Sequence, residues 1–146
     1  MTISPTGLGL IKAFESLQLK AYRCPAGVWT IGWGHTRGVQ PGMQITEAQA
    51  EAFLADDIVD VERWLPTVIH VALTQGQWDA LVSLCFNLAG GAQRLPYTCP
   101  RLVADINAGN FTTAAQEFLN INHAINGAVL PGLTRRREAE RQLFLA

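Results

Sequence analysis

The sequence predicts an α+β fold: one amphipathic helix, a small sheet studded with glycine turns, and then a lobe built of helices. Three observations carry this reading. Ser4 and Pro5 open an apolar stripe, Trp29, Ile31 and Trp33 alternate with Val28, Thr30 and Gly32, and two capping-box patterns open later apolar runs. No internal repeat or low-complexity tract interrupts the order.

Taken along the chain, the first helix spans 4–16. Ser4 is its N-cap, Pro5 its first helical residue, and Leu10, Phe14 and Leu17 form its stripe. Residues 18–40 read as the small sheet, with Pro25, Gly27, Gly32, Gly34 and Gly38 supplying turns. The helical lobe spans 46–146. Thr46 with Gln49 opens a helix that Pro66 ends near Leu65, and Thr74 with Gln77 opens a very apolar helix to about Ala89, closed by Gly90 and Gly91. Further helices fit at about 99–108, 112–119 and 131–145, the last starting at Pro131. Trp64 and Trp78 sit on helical stripes and read as core.

Composition bounds the function. The 146 residues suit one domain, 49% are hydrophobic and only 16% are charged, which excludes a disordered tail or a long exposed coiled coil. A net charge of −1 argues against a nucleic-acid coat, which needs a basic excess. Residues 41–80 nonetheless hold seven acidic side chains against Arg63 alone. The rest is basic, and its cluster at Arg135, Arg136, Arg137 and Arg141 reads as a solvated helix face rather than a polyanion site. Three cysteines, Cys24, Cys85 and Cys99, leave at least one thiol free, as a reducing cytoplasm allows. Cys85 and Cys99 are candidates for pairing only after release from that compartment. No leader is legible, and no apolar run reaches the roughly 20 residues that span a bilayer. His70 and His123 lack companions at metal-ligand spacing, so neither a metal nor a cofactor is expected.

The chemistry concentrates in residues 15–35. Glu15 lies beside Phe14 at the border of the apolar stripe and at the helix's C-terminal end. Those are the surroundings a general acid needs, and an ordinary border glutamate is the other reading. If the hairpin turns near Gly27, Cys24 lies opposite Thr30, and both face away from the tryptophans into a cleft beside the first helix. A thiol there is either a small buried hydrophobe or a cleft-lining group. His35 reads as a general base or as half of a structural pair.

Glu15, Cys24 and Thr30 match the spacing of a catalytic signature: Glu, eight residues, Asp or Cys, five residues, Thr. The run Trp29-Thr-Ile-Gly-Trp-Gly-His35-Thr36 is similar to the strand motif that accompanies it. Both resemble the phage lysozymes of the T4 type, glycoside hydrolase family 24. The similarity continues through Thr46–Asp57, Ala80–Leu88 and Gly132–Arg137.

The resemblance implies a lysozyme-like fold, a small sheet lobe and a larger helical lobe around a cleft. It implies hydrolysis of the β-1,4 bond between N-acetylmuramic acid and N-acetylglucosamine in peptidoglycan. Glu15 is then the general acid, Cys24 takes a position that is usually Asp, and Thr30 orients the attacking water. His35 pairs with Asp57, while Thr36, Phe86 and Asn87 contact the saccharide. The partner is the glycan strand, acted on by a monomer without nucleic acid or stable membrane insertion. The enzyme is stored in the host cytoplasm and released through a separate holin-type pore. Three other readings remain open on the residues: a Cys24/His35 peptidase or amidase, a lytic transglycosylase, and an inactive wall-binding module.

Overall fold

Ser4 caps the first helix as the Ser-Pro pair predicts. Its hydroxyl accepts from the Gly7 amide at 3.3 Å, and α1 runs Pro5–Glu15. A computed structural model describes residues 1–123 and 127–146; residues 124–126 of the expected helical lobe lie outside the described residues. After α1 come β1 (Gln18–Arg23) and β2 (Trp29–Gly32). The helices α2 (Glu47–Val68), α3 (Gln75–Asn87), α4 (Gly91–Thr98) and α5 (Pro100–Asn107) follow. The chain then runs through α6 (Phe111–Glu117), a 3-10 turn at Phe118–Asn120, and α7 (Pro131–Leu145).

Both capping boxes form. In each, the threonine hydroxyl accepts from the amide three residues on, and the glutamine side chain returns to the threonine amide. Pro66 does not end α2, contrary to the sequence expectation. The helix continues to Val68, and the Ile69 amide still reaches the Leu65 carbonyl at 2.9 Å. Val68 and Ile69 are buried, so the core holds the last turn closed around the proline. The short α4 has no counterpart in the sequence expectation. Its N-cap is Gly90 at φ +81°, and no side-chain hydrogen bond caps it, so it carries no start signal.

The sheet is smaller than the 18–40 span suggests. Its two antiparallel strands pair Gln18 with Gly32, Tyr22 with Thr30 and Arg23 with Trp29. Isolated bridges join Lys20 to Gln44 and Ile31 to His35. This register corrects one expectation: Tyr22, not Cys24, faces Thr30. The Cys24 amide instead donates to the Val28 carbonyl at 2.9 Å, so Cys24 and Thr30 are diagonal neighbours on one face.

Helix α3 is the axis of the helical lobe, with every residue from Gln77 to Cys85 buried. Two contacts lay α1 along it. The Ser4 amide donates to Asp79 Oδ1 at 2.9 Å, and a Cβ at Gly7 would lie 2.7 Å from Asp79 Cβ. Only glycine permits that approach. The ends of α1 and α3 therefore emerge side by side, carrying Glu15 and Phe86–Asn87 to one place. On its other flank, Lys12 bonds Glu51 of α2 at 2.5 Å and lies 4.5 Å over the Trp33 ring, tying α1 to the sheet lobe.

Candidate active site

Glu15 is the last residue of α1, and Ser16 after it takes φ +57°, ψ 144°, a conformation costly for a non-glycine residue. The turn swings the chain from helix into β1 and leaves the Glu15 carboxyl 19% exposed. Its two oxygens have different neighbours. Oε1 accepts from Arg136 Nη1 at 2.5 Å, while Oε2 faces Gly34, where a Cβ would lie only 2.7 Å away. Gly34 sits at φ +74° and also close to Phe86, whose Cε1 would be 3.6 Å from that Cβ. One oxygen is thus anchored, and the other lies against the bare backbone of Gly34.

The anchor overturns the solvated-face reading of the arginine cluster. Arg136 and Arg137 are 3% and 1% exposed, and they share the fully buried Glu140. Arg136 Nε donates to Glu140 Oε1 at 3.1 Å and its Nη2 to the Ser83 carbonyl at 3.1 Å. The Ser83 hydroxyl donates to Glu140 Oε1 at 2.6 Å. Arg137 donates to Glu140 Oε2 and to Asn87 Oδ1. Burial pushes the Glu140 carboxyl up, while both guanidiniums and Ser83 pull it back. Arg135 is exposed, and Arg141 pairs with Glu138 at 3.2 Å. The sequence holds one local hint of this network: Glu140 stands four and three residues after the two arginines.

Cys24 lies at the hairpin turn and is partly exposed. Its thiol is held below its ordinary value, chiefly by the Val28 backbone and further by Ala26 and the Thr30 hydroxyl, against the opposing effect of burial. Thr30 is 3% exposed, and its hydroxyl donates to the Val28 carbonyl at 3.0 Å. Tyr22, opposite Thr30, is a neighbour that the sequence reading missed. Burial raises its phenol, and the negative charges of Glu15 and then Cys24 raise it further, so one side chain feels both groups.

His35 is buried, with Nδ1 2.8 Å from Asp57 Oδ2 and its ring stacked on Phe53 at 4.2 Å. Burial raises the Asp57 carboxyl despite that hydrogen bond. Thr36, Asp57 and Phe86 line a cavity of about 360 Å³ that Gly34 lines as well. Asn87 and Glu15 instead line a second hollow, with Phe14, Leu133 and Arg136. Trp78 is core at 5% exposure, but Trp64 is not: it is 42% exposed and lines the Gly34 cavity. Its position beside the buried stripe of α2, rather than on it, explains the difference. Cys85 and Cys99 are both buried free thiols, which burial pushes up.

The same chain has close counterparts among known proteins. The family model described as phage lysozyme matches residues 12–140. An endolysin of Acyrthosiphon pisum secondary endosymbiont phage 1 is 48% identical over 99% of this chain and 98% of its own length. An endolysin of Bacillus phage B103 is 43% identical, and the chain spans 54% of that longer protein. Among solved structures, the muramidase domain of SpmX from Asticaccaulis excentricus superposes with a TM-score of 0.88 at 39% identity, covering 99% of this chain and 98% of that one.

Proposed function

The chain belongs to the phage lysozyme family and is a glycoside hydrolase of that type, and from that premise we propose the roles of its residues. Glu15 is the general acid for cleavage of the β-1,4 bond between N-acetylmuramic acid and N-acetylglucosamine in peptidoglycan. The observation that carries this is the split environment of its carboxyl: Arg136 holds Oε1, and Oε2 lies against Gly34 with no hydrogen-bond partner among the described residues. As the glycosidic C1–O bond breaks, the Glu15 proton passes to the leaving oxygen. A water molecule bonds to C1 from the other face and gives its proton to Cys24, acting as the base in place of the usual carboxylate.

Thr30 supports that step. Its hydroxyl donates to the Val28 carbonyl and can turn its proton to the Cys24 thiolate, and in either position its oxygen keeps lone pairs to accept from the water. The same backbone of the turn favours a Cys24 thiolate. Phe86 and Thr36 provide cleft wall, and Asn87 keeps its amide hydrogens for substrate because, among the described residues, only its carbonyl is engaged, by Arg137. His35 works as a structural partner of Asp57. Its buried ring and stacked position support that role over a Cys24/His35 peptidase.

The chain acts as a single catalytic unit and as a monomer. It is stored in the host cytoplasm and reaches the wall through a separate holin-type pore. No helix among the described residues is long and apolar enough to cross a membrane.

Purified protein incubated with peptidoglycan tests the assignment. New reducing ends that disappear in Glu15→Gln are the expected result. New free amino groups that disappear in Cys24→Ala would replace it with the peptidase reading, and anhydro ends with a transglycosylase. Cys24→Asp separates the roles of sulfur: retained activity identifies a base, and abolished activity shows that the thiol has chemistry of its own.

A further inference from the structure

Trp64 is out of place for an indole in a structural role. On α2 it follows Val61 and precedes Leu65, both buried, yet it leaves 42% of its surface exposed. It lines the same cavity as Phe86 and as Gly34, against which Glu15 Oε2 lies. The cavity thus joins Gly34, the neighbour of the proposed acid, to an exposed aromatic face. At about 360 Å³ it falls in the roughly 300–1,000 Å³ range of small-ligand sites.

The polar lining sits at the edge of that face. Arg37, in the loop after β2, pairs with Asp60 of α2, one helical turn before Trp64. Gln93 of α4 lines the cavity too, with the bare backbone of Gly90 and Gly91. A pyranose ring has matching chemistry: C–H groups on its faces, and hydroxyl and acetamido groups around its rim. Its face packs on an indole, while its rim takes hydrogen bonds from a guanidinium, to a carboxylate and with a carboxamide in either direction.

Charge decides between sugar and peptide. The lining carries two carboxylates, Asp57 and Asp60, and one guanidinium, Arg37, which Asp60 already engages. An anionic stem peptide, or the lactyl carboxylate of N-acetylmuramic acid, would meet net negative charge there, whereas the neutral N-acetylglucosamine units of the strand meet no such penalty.

We infer that the Trp64 end of the cleft is a saccharide subsite, in which an N-acetylhexosamine of the glycan strand stacks on the Trp64 indole with its rim held by Arg37, Asp60 and Gln93. This rests on the reading of the cleft as a glycan-cleaving site. Trp64 determines how strongly the outer strand is held and takes no part in bond breaking.

Two measurements test it. In Glu15→Gln, where the strand is not turned over, peptide-free glycan strands shield tryptophan fluorescence from acrylamide, and that shielding is lost when Trp64→Phe is added. Trp33 and Trp78 are buried, and the signal of the part-buried Trp29 is common to both chains, so the difference between them reports Trp64. In the active chain, Trp64→Ala raises KM for solubilised glycan strands about tenfold and leaves kcat near its starting value, because the contact is made equally in ground and transition states. Trp64→Phe recovers most of that loss. Shielding by free stem peptide but not by glycan strands overturns the subsite, and so does an unchanged KM in Trp64→Ala. Failure of the underlying reading shows separately, as an unmodified chain that releases no reducing ends at all.

Discussion

Replacing Gly34 by alanine isolates what the free oxygen of Glu15 contributes. The new Cβ would stand 2.7 Å from Glu15 Oε2 and 3.3 Å from its carboxyl carbon. To reach the 3.4 Å of ordinary contact, Oε2 must retreat by about 0.7 Å, the difference between 3.4 and 2.7. It has little room to do so, since Oε1 is bonded to Arg136, itself fixed by Glu140 and Ser83. A displacement approaching 1 Å at a reacting group costs up to about a hundredfold in rate, so Gly34→Ala loses roughly 10- to 100-fold in reducing-end release. Backbone strain acts as well, because alanine at φ +74° costs about 1–2 kcal/mol. Gly38→Ala is the control. It has nearly the same backbone, φ +71°, and a Cβ there would meet nothing within 4 Å. Both variants therefore lose similar stability in urea unfolding, and only Gly34→Ala loses catalysis. Rates for the two variants within about threefold of each other would refute the idea that Oε2 must stay where it is.

Three further outcomes follow from the same contacts. Glu140→Ala leaves two buried guanidiniums without their shared carboxylate and costs about 3–5 kcal/mol in urea unfolding; a loss under about 1 kcal/mol would mean that Arg136 and Arg137 find other partners. His35→Ala strands the half-buried Asp57 carboxyl and removes the Phe53 stack. It lowers stability by about 1–3 kcal/mol while catalysis per folded molecule largely persists, and a collapsed rate would make the histidine catalytic. Iodoacetamide labels Cys24 first, with a pH midpoint below the ordinary 9.0, because the turn backbone lowers its thiol, whereas burial raises Cys85 and Cys99. The same sign gives Cys24 a share of stability that is present above 9.0 and lost as pH falls through its folded value; peptide mapping that finds Cys85 modified first would contradict the assignment.

What could be read from the sequence was whatever is encoded within a few residues. The Ser4 cap, both threonine capping boxes, the glycine turn at Gly27 and the proline start of α7 are local devices, and each lies where its pattern predicts. Pro66 failed as a stop signal because tertiary burial of Val68 and Ile69 outweighs the lost amide. The arginines failed for a different reason. Arg136 meets Ser83 and Glu15, 53 and 121 residues away, and Arg137 meets Asn87, 50 residues away. Nothing in a helical charge run distinguishes such long-range partners from solvent. Trp64 failed by one position on the helix wheel, since Val61 and Leu65 beside it are buried.

The two proposed halves of the chemistry are consequently held in different ways. Glu15 depends on contacts across the chain: α1 docks on α3 through Gly7 and Asp79, and α7 delivers Arg136. Cys24 and Thr30 depend on a short hairpin, with the Cys24 and Gly27 amides closing the turn at 2.9 and 2.8 Å. Damage to the helical lobe should therefore disable the acid while leaving the thiol's reactivity intact. Damage to the turn should do the reverse. Glu140→Ala with undiminished Cys24 alkylation is the first of these dissociations, and it ties loss of activity to the carboxyl rather than to general unfolding.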